Sequence, residues 1–139
     1  MSPDNIMLGE QFGELKGKIT GQRVLDTEGP AMETNVSATG HIMSTNIRVM
    51  LTYRSKSVST GVLHCWGNGI VMSSEGDVAS YTGEAIGKIN TSGTVLWHGS
   101  LFYKSSSNGK LASLNILVVV LEAEVDAEGN FSEKTWEWK

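Results

Sequence analysis

Only one cysteine, Cys65, stands in the chain, so no intrachain disulfide can form and the fold does not depend on an oxidising compartment. The longest apolar run covers residues 116–121, far short of the roughly 20 residues that a membrane-crossing helix needs. Residues 1–18 lack a basic stretch followed by an apolar one; no secretion signal is read there, and the cytoplasm is the expected location. Three Asn-x-Ser triplets, at Asn35, Asn90 and Asn130, therefore read as chance matches to the glycosylation pattern. With 11 Lys and Arg against 15 Asp and Glu, the net charge of −4 provides no basic field for nucleic acid. There is no phosphate-binding loop, dinucleotide fingerprint, Gly-x-Ser-x-Gly elbow or Cys-x-x-Cys pair. Nucleotide-driven chemistry and a cofactor are not expected. His41, His64 and His98 fall on different predicted strands without metal-ligand spacing, so no metal is expected either.

What the chain does have is punctuation. Small polar turn clusters recur at residues 26–30, 43–46, 55–61, 73–77, 90–93, 105–109 and 126–130, separated by stretches too β-branched and too Gly-interrupted for helices. They predict an all-β fold of about eight antiparallel strands, over residues 17–25, 32–42, 46–54, 61–72, 77–88, 93–104, 111–125 and 130–138. Eight strands is the number at which a meander closes into a barrel, filling its interior with side chains or holding one small ligand. Residues 17–139 form the expected single barrel domain. Residues 1–16 are expected to be an arm or short helix, with Ser2 as its cap, Pro3 in its first turn and Ile6, Met7 and Phe12 as its apolar side.

The clearest two-sided segment is 111–125. Leu117, Val119, Leu121, Ala123 and Val125 share one apolar parity, while Ile116, Val118, Val120, Glu122 and Glu124 share the other. If the first lines the barrel, Ile116, Val118 and Val120 are left as an outer apolar stripe, which predicts a homo-oligomer interface. Glu122 and Glu124 read as part of a solvated acidic rim that continues through Asp126, Glu128 and Glu133.

Several residues invite a chemical reading. Strand 61–72 places Val62, His64, Trp66, Asn68, Ile70 and Met72 on one parity, apolar bulk mixed with two hydrogen-bonding groups as in a ligand pocket. The competing reading makes that parity solvent-facing, with Leu63, Cys65 and Val71 in the core. Glu84 lies mid-strand between Gly83 and Ala85; facing a narrow lumen it would be desolvated into the range of a general acid or base, facing outward it is an ordinary surface carboxylate. His98, beside Trp97, poses the same choice. Asn115 precedes the most apolar run, either as a buried amide or as a residue at the start of the strand. Cys65 reads as a small buried hydrophobe.

The stretch from Gly87-Lys88-Ile89 through Trp97-His98-Gly99-Ser100-Leu101-Phe102-Tyr103, continuing over Gly109-Lys110-Leu111-Ala112 and Leu114-Asn115 to Glu122-Ala123-Glu124-Val125-Asp126, resembles a family of small uncharacterised prokaryotic proteins. The likeness extends from about Gly17 to the C-terminus. That family is similar in architecture to the eight-stranded allene oxide cyclase and dirigent barrels, a resemblance that implies oligomers and a hydrophobic molecule bound inside the barrel. It carries over no catalytic residue. Three functions follow as expectations: a barrel that binds a small hydrophobic molecule, with Trp66, Asn68, Trp97, Tyr103 and Asn115 as binding residues; a cofactor-independent cyclase, isomerase or hydratase using Glu84, His64 or His98; or a structural protein with a filled barrel.

Overall fold

A computed structural model describes residues 8–106 and 108–138 of the chain. Among them, eight antiparallel strands follow one another as β1 (Leu8–Asp26), β2 (Ala31–Ile42), β3 (Thr45–Ser59), β4 (Val62–Ser73), β5 (Val78–Ile89), β6 (Val95–Ser105), β7 (Val118–Val125) and β8 (Asn130–Trp138). Each pairs with its neighbour, and β1 pairs with β8 through Gly13↔Thr135, Leu15↔Glu133 and Gly17↔Phe131, closing the sheet into a barrel. The all-β barrel expected from the turn spacing is the fold observed.

Four hairpins use one local device. Asp26, Ser73, Asn90 and Asp126 each turn a side-chain oxygen back to accept the backbone N–H two residues on, at 2.9, 3.2, 3.0 and 2.9 Å. The third residue after each is glycine, Gly29, Gly76, Gly93 and Gly129, with φ of 60°, 90°, 85° and 85°. The short polar side chain satisfies the turn's backbone donors, and glycine enters the left-handed region without a Cβ penalty. This repeat is why the punctuation was readable.

Two expectations need correction. Residues 8–16 are strand rather than helix, because Phe12 and Leu15 enter the core while Glu14 and Lys16 pair between β2 and β8. Residues 1–7 of the expected arm lie outside the described residues. Residues 111–117 precede β7 instead of belonging to it: Leu111 and Leu114 are both fully buried, and their three-residue spacing is that of the 3-10 turn Ala112–Leu114. This segment is tied to the β4–β5 turn, where the Lys110 N–H donates to Asp77 at 3.0 Å and Lys110 Nζ lies 2.8 Å from Glu75.

Alternation decides what faces inward. Leu117, Val119, Leu121, Ala123 and Val125 point into the barrel, with Leu63, Cys65, Gly67, Gly69 and Val71 on β4 and Tyr81 and Ala85 on β5. Leu114→Ala is expected to lower stability by about 3 kcal/mol in equilibrium urea unfolding, since a fully buried leucine leaves both lost apolar area and a void.

Candidate functional site

The strand parities sort the candidate residues into two groups. Trp97 and Tyr103, each 4% exposed, are inside the barrel. Trp66, Asn68, Glu84 and His98 are on the outer face, and His64 on the same outward parity is half-buried. His64 and Glu84 meet there, Nε2 to Oε2 at 3.4 Å, and His98 faces Glu122 across the β6–β7 ladder at 4.0 Å. Solvent-facing pairs of this kind contribute little to stability and share no enclosed volume. The pocket-like composition of the His64, Trp66 and Asn68 parity thus belongs to an exposed sheet surface. Asn115 is exposed, and its Oδ1 accepts the Ser105 N–H at 3.1 Å, closing the loop before β7.

The interior holds a different set. Between Tyr53, Cys65, Tyr81, Trp97, Leu101, Leu121, Phe131 and Glu133 lies a cavity of about 60 Å³. It exists because Gly67, Gly83, Ala85 and Ala123 also line it, small residues that leave room between large ones. The aromatic rings stack edge to face, Tyr53 against Trp97 at 5.6 Å, or tilted, Tyr81 against Tyr103 at 5.3 Å. Register places Trp97 opposite Ala123 and Ala123 opposite Glu133, so the indole and the carboxyl flank one alanine on three adjacent strands.

Two polar groups here are unusual. Trp97 Nε1 is sealed from solvent and finds no hydrogen-bond acceptor. Glu133 is 6% exposed and takes part in none of the ion pairs among the described residues, and burial pushes its carboxyl up to about 7. It is not part of an acidic rim; Glu122 and Glu124 are exposed as expected, but Glu133 faces the opposite way. The signal was available in the alternation of β8, where Phe131, Glu133 and Thr135 share a parity that the apolar Phe131 marks as inward. Burial pushes the Tyr53 phenol and the Cys65 thiol each up to about 12, and burial together with the nearby Glu133 charge raises Tyr81 and Tyr103 further. Glu133 is therefore the group of this chamber that titrates near neutrality. Among the described residues no cluster of three His, Cys, Asp or Glu could hold a metal ion, and no helix is long and apolar enough to cross a membrane.

No family model matches the chain, and no curated protein matches it. Solved structures do. A conserved protein of unknown function from Rhodopseudomonas palustris superposes with a TM-score of 0.74 at 7% identity, over 94% of this chain and 97% of that one. A protein of unknown function from Clostridium acetobutylicum gives 0.79 at 10% identity, over 94% and 98%. A β-barrel-like protein from Acinetobacter baumannii gives 0.78 at 12% identity, over 95% of both chains. At such identities the likeness shows the barrel fold alone.

The buried carboxyl makes stability depend on pH. The folded chain holds the Glu133 proton up to about pH 7, whereas a carboxyl in the unfolded chain releases it near 4.5. The contribution is thus fully present below about 4.5 and is lost as pH rises through about 7, a penalty on the order of 3 kcal/mol at alkaline pH. Glu133→Gln is expected to recover most of that at about pH 8 and to change little at about pH 4, as read by urea unfolding at the two values. In the same folded protein, Cys65 is expected to resist a thiol-specific disulfide reagent at about pH 8, because burial suppresses its thiolate; labelling at the rate of a free thiol would contradict its interior placement.

Proposed function

We propose that the protein is a binding module that holds a compact, largely apolar molecule inside the barrel, in the chamber between Tyr53, Tyr81, Trp97 and Phe131. One observation carries this reading: glycines and alanines on adjoining strands leave a cavity of about 60 Å³ among Tyr53, Tyr81, Trp97 and Phe131 inside the barrel. At about 60 Å³ the chamber takes only a few non-hydrogen atoms, against roughly 300–1,000 Å³ for drug-sized sites, so the ligand is small or the surrounding side chains move for it. The similarity to allene oxide cyclase and dirigent barrels, whose members bind hydrophobic molecules within the barrel, supports the same direction. Of the residues expected to bind, Trp97 and Asn68 line this chamber, Tyr103 is buried beside Tyr81 without lining it, and Trp66 and Asn115 are exposed outside it. A cyclase, isomerase or hydratase built on His64, Glu84 or His98 has no support from their outward positions.

We assign the protein to the cytoplasm and to a homo-oligomer. The second assignment is favoured by an apolar stripe on the outer face of β6–β8, where Phe102 pairs with Val118 and Val120 with Trp136, extended by Ile116, which is 83% exposed. Light scattering on the eluting native protein is expected to give a multiple of the 15.0 kDa chain, and the double substitution Phe102→Lys with Val118→Lys is expected to give the monomer; a native monomer would remove the assignment.

Xenon enters dry apolar cavities and tests the chamber directly. Under xenon pressure the methyl resonances of Leu101 and Leu121 are expected to shift, and Ala123→Leu, which fills the space, is expected to abolish the shift in a folded barrel. Unmoved methyls in the native protein would overturn the reading.

A further inference from the structure

Glu133 sits where its carboxyl finds no partner. Its cross-strand neighbours are the apolar Leu15 on β1 and Ala123 on β7, and Lys134, next to it in sequence, faces outward. Neither a hydrogen bond nor a neighbouring charge offsets the burial that raises it. The carboxyl is nevertheless not sealed in: among the described residues, the one buried side-chain polar atom shut off from solvent without a partner is Trp97 Nε1. Glu133 is 6% exposed, points inward and lines the cavity, so its unpaired carboxyl opens into that cavity. Packing does not explain such a group, because a buried polar atom without a partner costs stability and is rare in native cores.

The surrounding walls narrow the chemistry of a partner. Tyr53 on β3, Cys65 on β4 and Tyr81 on β5 face the chamber, and burial holds each in its protonated form, as it does Tyr103 on β6 beside Tyr81. Tyr53 is bonded to Thr34 and Cys65 to the backbone of Ala85, so both are engaged. Glu84 borders the space from the outer face and is exposed, and no Lys, Arg or His lines it. Below about pH 7 the wall therefore offers one free donor, the O–H of Glu133, and no positive charge. An ammonium head would need that carboxyl ionised, and a carboxylate head would bring a negative charge into an apolar space without a cation. An alcohol accepts, but it adds a donor of its own that must be satisfied in the same small volume. A carbonyl oxygen accepts and adds none.

We propose that the chamber recognises a small ketone or aldehyde, its carbonyl oxygen accepting the O–H of Glu133 and its carbon groups enclosed by Tyr53, Tyr81, Trp97 and Phe131. This rests on the reading of the interior as a binding chamber and adds the chemistry of the head group. The protonated carboxyl is the competent form, so binding is complete below about pH 7 and is lost as pH rises above it.

Acetone, 2-propanol and isopropylamine share one carbon skeleton and are equal in heavy atoms, while xenon reports on the volume alone. Acetone is expected to shift the methyl resonances of Leu101 and Leu121, to bind about fivefold more tightly than 2-propanol, and to show when bound a carbonyl stretch at lower frequency than in hexane. Its affinity should fall about tenfold between about pH 5 and about pH 8, where roughly one carboxyl in ten keeps its proton. Glu133→Gln, whose amide donates at every pH, should bind acetone with no pH dependence. Glu133→Met should lose the lowered stretch while xenon still enters; should it fail to fold, the glutamine variant and the native pH profile decide. Xenon uptake combined with a hexane-like carbonyl stretch, with pH-independent acetone affinity in the native protein, or with acetone bound no more tightly than 2-propanol would sink the carbonyl assignment and leave the apolar chamber standing. Isopropylamine bound more tightly than acetone as pH rises would also sink it, since an ammonium would then be pairing with the carboxylate. Exclusion of xenon and acetone alike would remove both.

Discussion

The structure depends on the β1–β8 ladder. A meander of eight strands without that last set of hydrogen bonds would be an open sheet with two unpaired edges and one apolar face; closure removes the edges and turns that face into an interior. Once the ladder is made, strand alternation leaves no freedom. Between the bulges of β1 and β3, every second residue of a strand must fit the same enclosed space, and its neighbours must tolerate solvent or a partner.

That interior is mostly filled by side chains, which is what a barrel without an intrachain disulfide needs for stability. The incompleteness of the packing is local. It lies where Gly67, Gly83, Ala85 and Ala123 face aromatic residues from other strands, and the buried Glu133 lines the same place. Packing for stability alone would fill the space and place no ionisable group there, since burying an unpaired charge is among the costliest substitutions a core can carry. The coincidence of void and carboxyl gives the chamber a chemical character that the rest of the core lacks.

The outer face of the barrel is divided as well. Across β4 and β5 it carries Trp66, Asn68 and Glu84, exposed, with the half-buried His64 in contact with Glu84 between the strands. Across β6 to β8 it turns apolar through Phe102, Val118, Val120 and Trp136. Ile116, at the start of that stripe, is a β-branched residue held at a φ of 56° and is 83% exposed, a strained and unprotected conformation. The loop that presents it is anchored on both sides, by Leu111 and Leu114 in the core and by Asn115 on Ser105.

Turns and one strand's parity could be read directly from residue order, because their causes are local. An Asx or Ser followed three positions later by a glycine of positive φ makes the same turn at four hairpins, and the unbroken apolar alternation of Leu117 to Val125 admits one inward face. Strand β4 was not legible in that way: both of its parities mix apolar and polar residues, so its inward side is settled only by what β3 and β5 present beside it. Glu133 was hidden among acidic neighbours close in sequence but opposite in direction. The 3-10 turn at Ala112–Leu114 was masked by the apolar run that follows it. By itself the amino-acid order determined about eight antiparallel strands and where most of their hairpins fall, since both follow from short-range sterics and hydrogen bonding. Only the tertiary structure decided that Trp97 and Glu133 line one cavity across Ala123, because residues 36 positions apart in the chain come together through two registers that no local pattern encodes.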